Sequence, residues 1–160
     1  MTTGREELLD LARAARTFLE PVWRQWHAAD GGIVPAILSQ GVCGRSSLFL
    51  REVLRSEGFS ADWKSGAGDC GYLHGEAWRG HAWVVTGNRI VDITADQFGQ
   101  PPVAMTTADD RRYRAGADRA DPEAVLRRGE AVAAIWSDWS SFRNAGFRQT
   151  ARAPSPPPGR

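Results

Sequence analysis

The sequence predicts an α+β fold in which N-terminal helices pack on a central antiparallel sheet. Three observations carry that expectation. Apolar residues recur at spacings of three and four over 5–29 and again over 43–57. Two short apolar runs, His81-Ala-Trp-Val-Val-Thr86 and Arg89-Ile-Val-Asp92, flank the pair Gly87-Asn88. Asp121-Pro122-Glu123 opens a further helical stretch, with an acid at the N-cap and proline at the first helical position.

The 160 residues suffice for one domain with a real core, and 42% of them are apolar. Twenty basic residues face nineteen acidic ones, for a net charge of +1. That balance gives no electrostatic case for a nucleic acid or a membrane surface as partner. No run of 18 apolar residues exists, and the N-terminus Met-Thr-Thr-Gly-Arg-Glu-Glu lacks a signal-peptide pattern. The expectation is a cytoplasmic protein. Two cysteines, Cys43 and Cys70, are too few to staple a domain. The domain is expected over 1–148, followed by a disordered Pro-rich tail over 149–160 that contains Pro154 and Pro157.

Leu8, Leu11, Ala12, Ala15, Leu19 and Trp23 make one stripe of a first helix over 5–29, which Pro21 is expected to kink or split. His27, near its end, reads as a boundary histidine. Gly31-Gly32 ends the segment, and 33–41 connects. The second helix, over 43–57, buries Leu50, Val53 and Leu54 and stops at Gly58. Phe59 to Trp63 reads as a strand, Ser65 to Gly71 as a flexible Gly-rich loop, and Tyr72 to Arg79 as a short strand or irregular segment. An edge strand is expected over 103–107, just after Pro101-Pro102. The stretch 109–121, with four acids and four arginines, reads as a solvated loop. The last helix is expected to run to Arg128, break at Gly129 and resume from Glu130 to Arg143.

The hairpin over 81–94 carries the chemistry. A two-residue II′ turn at Gly87-Asn88 pairs Thr86 with Arg89, Val85 with Ile90, Val84 with Val91 and Trp83 with Asp92. His81, Trp83, Val85, Ile90 and Asp92 then share one face, and Ala82, Val84, Val91 and Ile93 share the other. Both faces are apolar enough for a central, buried hairpin. His81 and Asp92 lie within side-chain reach, an arrangement in which a carboxylate orients an imidazole. Cys43 is the candidate nucleophile. It opens a helix, where unpaired N–H groups and the helix dipole favour a thiolate, and Gly41 and Gly44 leave room beside the sulfur. His81 would take the thiol proton, Asp92 would hold its tautomer, and Cys43 would attack a carbonyl. The backbone N–H of Cys43 and the side chain of Gln40 are candidates for the oxyanion, with Trp83 a further candidate for substrate binding.

Gly41-Val-Cys43, His81-Ala-Trp83-Val and Val91-Asp92-Ile-Thr94 resemble the transglutaminase-like superfamily of papain-fold cysteine enzymes, over roughly residues 35–100. The resemblance implies a papain/transglutaminase-like fold and a catalytic triad of Cys43, His81 and Asp92. It implies a cysteine hydrolase or acyltransferase (protease, deamidase or transglutaminase-like) acting on an amide in a peptide, a protein or a small molecule. The aspartate in third place and the short Cys-to-His separation set the chain apart from papain itself. Gly44 stands where many transglutaminases carry tryptophan, which directs the expectation to hydrolysis. No metal or organic cofactor is implied. Three alternatives stand beside this reading: a zinc site of Cys43, Cys70, His74 and His81; a Cys43–Cys70 disulfide; and a catalytically silent binding domain of the same fold.

Overall fold

The computed structural model describes residues 3–150, with side chains described to residue 146. The fold is α+β, with three helices and antiparallel sheets. In chain order come α1 (Gly4–Asp30), α2 (Cys43–Ser56), β1 (Asp62–Gly66), β2 (Gly71–His74), β3 (Ala77–Arg79), β4 (His81–Thr86), β5 (Arg89–Asp92), a 3₁₀ turn (Ala95–Phe98), β6 (Ala104–Thr107), β7 (Tyr113–Arg114) and α3 (Pro122–Thr150). Four strands form one sheet in the order β1-β4-β5-β6, and three form a second in the order β3-β2-β7.

The hairpin β4–β5 occupies the two central positions of the larger sheet, and β6 forms its edge. Thr86 pairs with Arg89, Val85 with Ile90 and Val84 with Val91. Gly87 has φ +58° and Asn88 a negative φ, the II′ combination. The ladder between the two strands closes at Val84↔Val91, short of the expected Trp83–Asp92 pair, and Asp92 pairs with Ala104 of β6 instead.

One face of the sheet meets the helices. Val84, Val91 and Ile93 join Leu11, Leu19, Trp23, Phe49, Leu50, Val53, Val132 and Trp139 in one core. α2 lies against β4, where Ser47 Oγ donates to the Ala82 carbonyl at 3.0 Å. α1 and α3 pack on α2. Phe18 and Phe49 stack at 5.4 Å, and Trp139 meets Phe49 edge-on at 5.4 Å. Such pairs add to what apolar burial alone supplies. The opposite face, which carries His81, Trp83 and Ile90, is covered from the second sheet by Tyr72 and Tyr113.

Several elements depart from the sequence reading. α1 is continuous: Pro21 and Thr17, the residue whose carbonyl loses its N–H partner, both lie on the exposed side, where that carbonyl is open to solvent. The helix also starts on a capping box that the reading missed, in which Thr3 Oγ1 accepts from the Glu6 N–H and Glu6 from the Thr3 N–H. β1 begins three residues later than expected and runs through Ser65-Gly66, because β4 offers a ladder down to Gly66↔His81. The glycines there serve a close crossing rather than a flexible loop. A Cβ on Gly66 would lie 2.3 Å from the Gly71 nitrogen, and one on Gly71, at φ +107°, 2.0 Å from the Arg79 oxygen. β7 forms within the stretch expected to be a solvated loop. α3 does not break at Gly129 and includes Gln149 and Thr150, which were expected in the tail. Residues 151–160 of that expected tail lie outside the described residues. Among the described residues no helix is long and apolar enough to cross a membrane.

Candidate active site

Cys43 is the first residue of α2, and no side chain caps that end of the helix. The turn is anchored from behind: Ser46 Oγ donates to the Val42 carbonyl at 2.6 Å and accepts from Trp23 Nε1 at 2.8 Å. On the other flank Trp63 Nε1 donates to the Gly44 carbonyl at 3.1 Å, while the Arg128 guanidinium lies 4.4 Å over the Trp63 ring. Cys43 is therefore placed by α1, β1 and α3 together, yet it stays partly exposed and free. Gly41 and Gly44, on either side of it, line a cavity of about 290 Å³ whose other walls include Arg45, Arg127 and Arg128.

His81 opens β4 and Asp92 closes β5. His81 Nε2 and Asp92 Oδ2 are 2.6 Å apart, and both side chains have no solvent contact. Asp92 also accepts from Tyr113 OH at 2.9 Å on the same oxygen. Its other oxygen accepts from the Thr94 N–H at 2.9 Å and Thr94 Oγ1 at 3.3 Å. A carboxylate accepts only, so Nε2 must carry a proton. That leaves Nδ1 for the thiol: Ser47, one turn after Cys43, is bonded to the carbonyl of Ala82 beside His81, and the sulfur is near enough to act on the charge of the ring. Burial by itself would push the His81 pKa down. The Asp92 carboxylate outweighs it, the Cys43 sulfur adds to the effect, and the pKa is raised to about 10. The site thus favours an imidazolium between a carboxylate and a sulfur.

The walls are aromatic. Trp83 stacks on His81 at 6.1 Å, Phe98 meets it edge-on at 4.9 Å, and Tyr72 does so at 6.0 Å. Burial holds the Tyr113 pKa well above its ordinary value, and the neighbouring Asp92 charge raises it further, so the hydroxyl stays a donor.

The structure brings Cys43, His81 and Asp92 together. Trp83 is 2% exposed and forms the wall behind the imidazole rather than a surface open to a ligand. Gln40 lies exposed in the turn before α2, and among the described residues its side chain makes no hydrogen bond. Another glutamine takes the place beside the imidazole: Gln97 Nε2 is 3.5 Å from His81 Nδ1. Sequence reasoning missed Gln97 and Tyr113. Gln97 falls on a 3₁₀ turn with no apolar period, and Tyr113 on a two-residue strand inside a charged stretch. Aromatic interruption of that stretch was the one available signal.

The four alternative zinc ligands are not gathered. His74 is exposed at the end of β2. Cys70 Sγ donates to Asp69 Oδ1 at 3.4 Å. Among the described residues no group of three metal-ligating side chains is assembled. Cys43 and Cys70 are both free, so no disulfide joins them. Partial burial, and then Asp69, push the Cys70 thiol above its ordinary pKa against the pull of Arg114 and Arg119. His27 is a satisfied boundary histidine whose Nε2 donates to the Leu38 carbonyl at 2.9 Å. The chain matches no protein-family model, no curated protein and no solved structure.

Proposed function

We propose that the protein is a cysteine enzyme of the transglutaminase-like type that transfers an acyl group from an amide, peptide or isopeptide bond through a Cys43 thioester, ending in hydrolysis. One observation carries the reading. A partly exposed thiol stands at an uncapped helix start, on a helix anchored to Ala82, next to an imidazole whose Nε2 is held at 2.6 Å by a fully buried carboxylate. Nucleophile, base and orienting acid then stand in the order that thiol catalysis requires. A cavity lined by Gly41 and Gly44, the residues flanking Val42-Cys43, opens next to this helix start.

The chemistry follows from the protonation pattern. His81 Nδ1 takes the thiol proton, and Asp92 stabilises the charge on the ring. The thiolate attacks the carbonyl carbon, and the carbonyl electron pair moves to oxygen. As the tetrahedral intermediate collapses, His81 returns the proton to the leaving amine and the thioester remains. Water, deprotonated by the same nitrogen, then releases the acid and restores the thiol.

Selective alkylation tests the reading. With dilute iodoacetamide near neutral pH, peptide mapping should show Cys43 modified well before Cys70. His81→Ala should slow Cys43 on the order of tenfold, since a free thiol is only a few per cent ionised at pH 7 but is intrinsically the stronger nucleophile. Faster modification of Cys70, or equal pH profiles for wild type and His81→Ala, would overturn the assignment.

A further inference from the structure

Gln97 sits on the 3₁₀ turn Ala95–Phe98, directly after β5. Its amide nitrogen lies 3.0 Å from the Thr94 carbonyl and 3.5 Å from His81 Nδ1. A carbonyl can only accept, so the group facing it is the N–H₂. One proton is used there. The second lies towards His81 Nδ1, the ring nitrogen that Asp92 leaves free. When His81 holds the thiol proton on Nδ1, that nitrogen has no lone pair to offer, and the second amide proton has no acceptor. A donor held in place without an acceptor, at the ring nitrogen left for the thiol, fits the oxygen on which charge develops during attack.

The turn that carries Gln97 is fixed on both sides. Its neighbour Asp96 is gripped by Arg16 through two bonds of 2.8 Å and by Ser39 Oγ at 2.5 Å. Phe98 is stacked on Tyr72 at 4.4 Å. We infer that Gln97 is the oxyanion-binding residue of the site, its Nε2 donating to the substrate carbonyl oxygen as Cys43 attacks. This rests on the acyl-transfer reading above, and it moves the role expected of Gln40 to a residue beside His81 Nδ1.

The probe is 4-nitrophenyl acetate. The Cys43 thiolate attacks its carbonyl, the C–S bond forms, the oxyanion appears, and collapse expels 4-nitrophenolate to leave S-acetyl-Cys43. Alkylation by iodoacetamide displaces iodide without forming an oxyanion, so the two reagents separate the roles. Gln97→Met, which keeps the bulk and removes the donor, should alkylate within about twofold of wild type. Its acylation should slow on the order of 10–100-fold. Gln97→Asn, which keeps a shorter donor, should fall between, and its ratio of the two rates decides the matter should Gln97→Met melt lower than wild type. Acylation of Gln97→Met at the wild-type rate, or equal slowing of both reactions, would overturn the inference while leaving the thiol reading intact. A wild-type chain that is alkylated but never acylated would overturn the acyl-transfer reading itself, and Gln97's role with it.

Discussion

Asp92 accepts four hydrogen bonds without touching solvent, two on each oxygen. An asparagine has one acceptor oxygen and cannot satisfy both pairs of donors. Asp92→Asn therefore leaves at least one buried donor unpaired, a loss of about 1–3 kcal/mol of stability by thermal unfolding. It also removes the charge that keeps His81 protonated. The equivalent change in a serine triad costs about 10⁴ in turnover. A thiol starts closer to ionisation, so turnover should fall on the order of 10²–10³. Cys43 alkylation should slow at neutral pH. A neutral-pH rate equal to that of wild type would show that the buried carboxylate does not tune the thiol. The His81–Asp92 pair was legible because a hairpin turn and side-chain alternation fix which residues share a face. Gln97 and Tyr113 were not, since a side chain's approach from another element leaves no period in the sequence.

The glycines separate two kinds of element. Gly129 lies inside α3 with open space where a Cβ would stand. Gly129→Ala should raise stability by about 0.5–1 kcal/mol, measured by urea unfolding, since alanine loses less backbone freedom on folding. Gly71 is the opposite case. Its φ of +107° and the 2.0 Å approach of a Cβ to the Arg79 oxygen leave nothing flexible to move aside. Gly71→Ala should cost about 3 kcal/mol or more, or prevent folding, and a melting temperature near wild type would contradict that crossing. From sequence Gly129 reads as a helix break and Gly71 as the end of a flexible Gly-rich loop. The long, strongly periodic helices and the hairpin register were readable because each rests on local chemistry. The second sheet was not, because strands of two to four residues carry too few side chains to show alternation, and their pairing is decided by partners far along the chain.

Across the whole molecule, charge ties the helical layer to the site. Arg16 of α1, 8% exposed, bonds Asp96, Glu20 and the carbonyls of Ile93 and Pro102. Burial opposes ionisation of Asp96, and Arg16 and Ser39 outweigh it and hold its pKa below the usual value. Bonds from Arg112 bring Asp110 down to about 2. Arg128 lowers Asp118. Carboxylates with depressed pKa values stabilise the fold above the unfolded value of about 4, and that contribution is lost as pH falls towards 2. His81 works in the other direction: its raised pKa stabilises the fold fully below about 6.5, and the contribution is lost as pH rises towards 10. Stability should therefore peak between about pH 4 and 6.5, with His81→Ala flattening the alkaline limb in a pH series of urea unfolding. A maximum above pH 8 would contradict the protonated His81. The separation in the chain also sets an order of assembly. His81 and Asp92 stand 11 residues apart within one hairpin, a local contact that closes on a microsecond scale. Cys43 joins them only when α2 docks, a distant closure that is made late. In a nascent or unfolding chain His81 and Asp92 can therefore meet before Cys43 is in place, and the three residues stand together only in the cooperative native state.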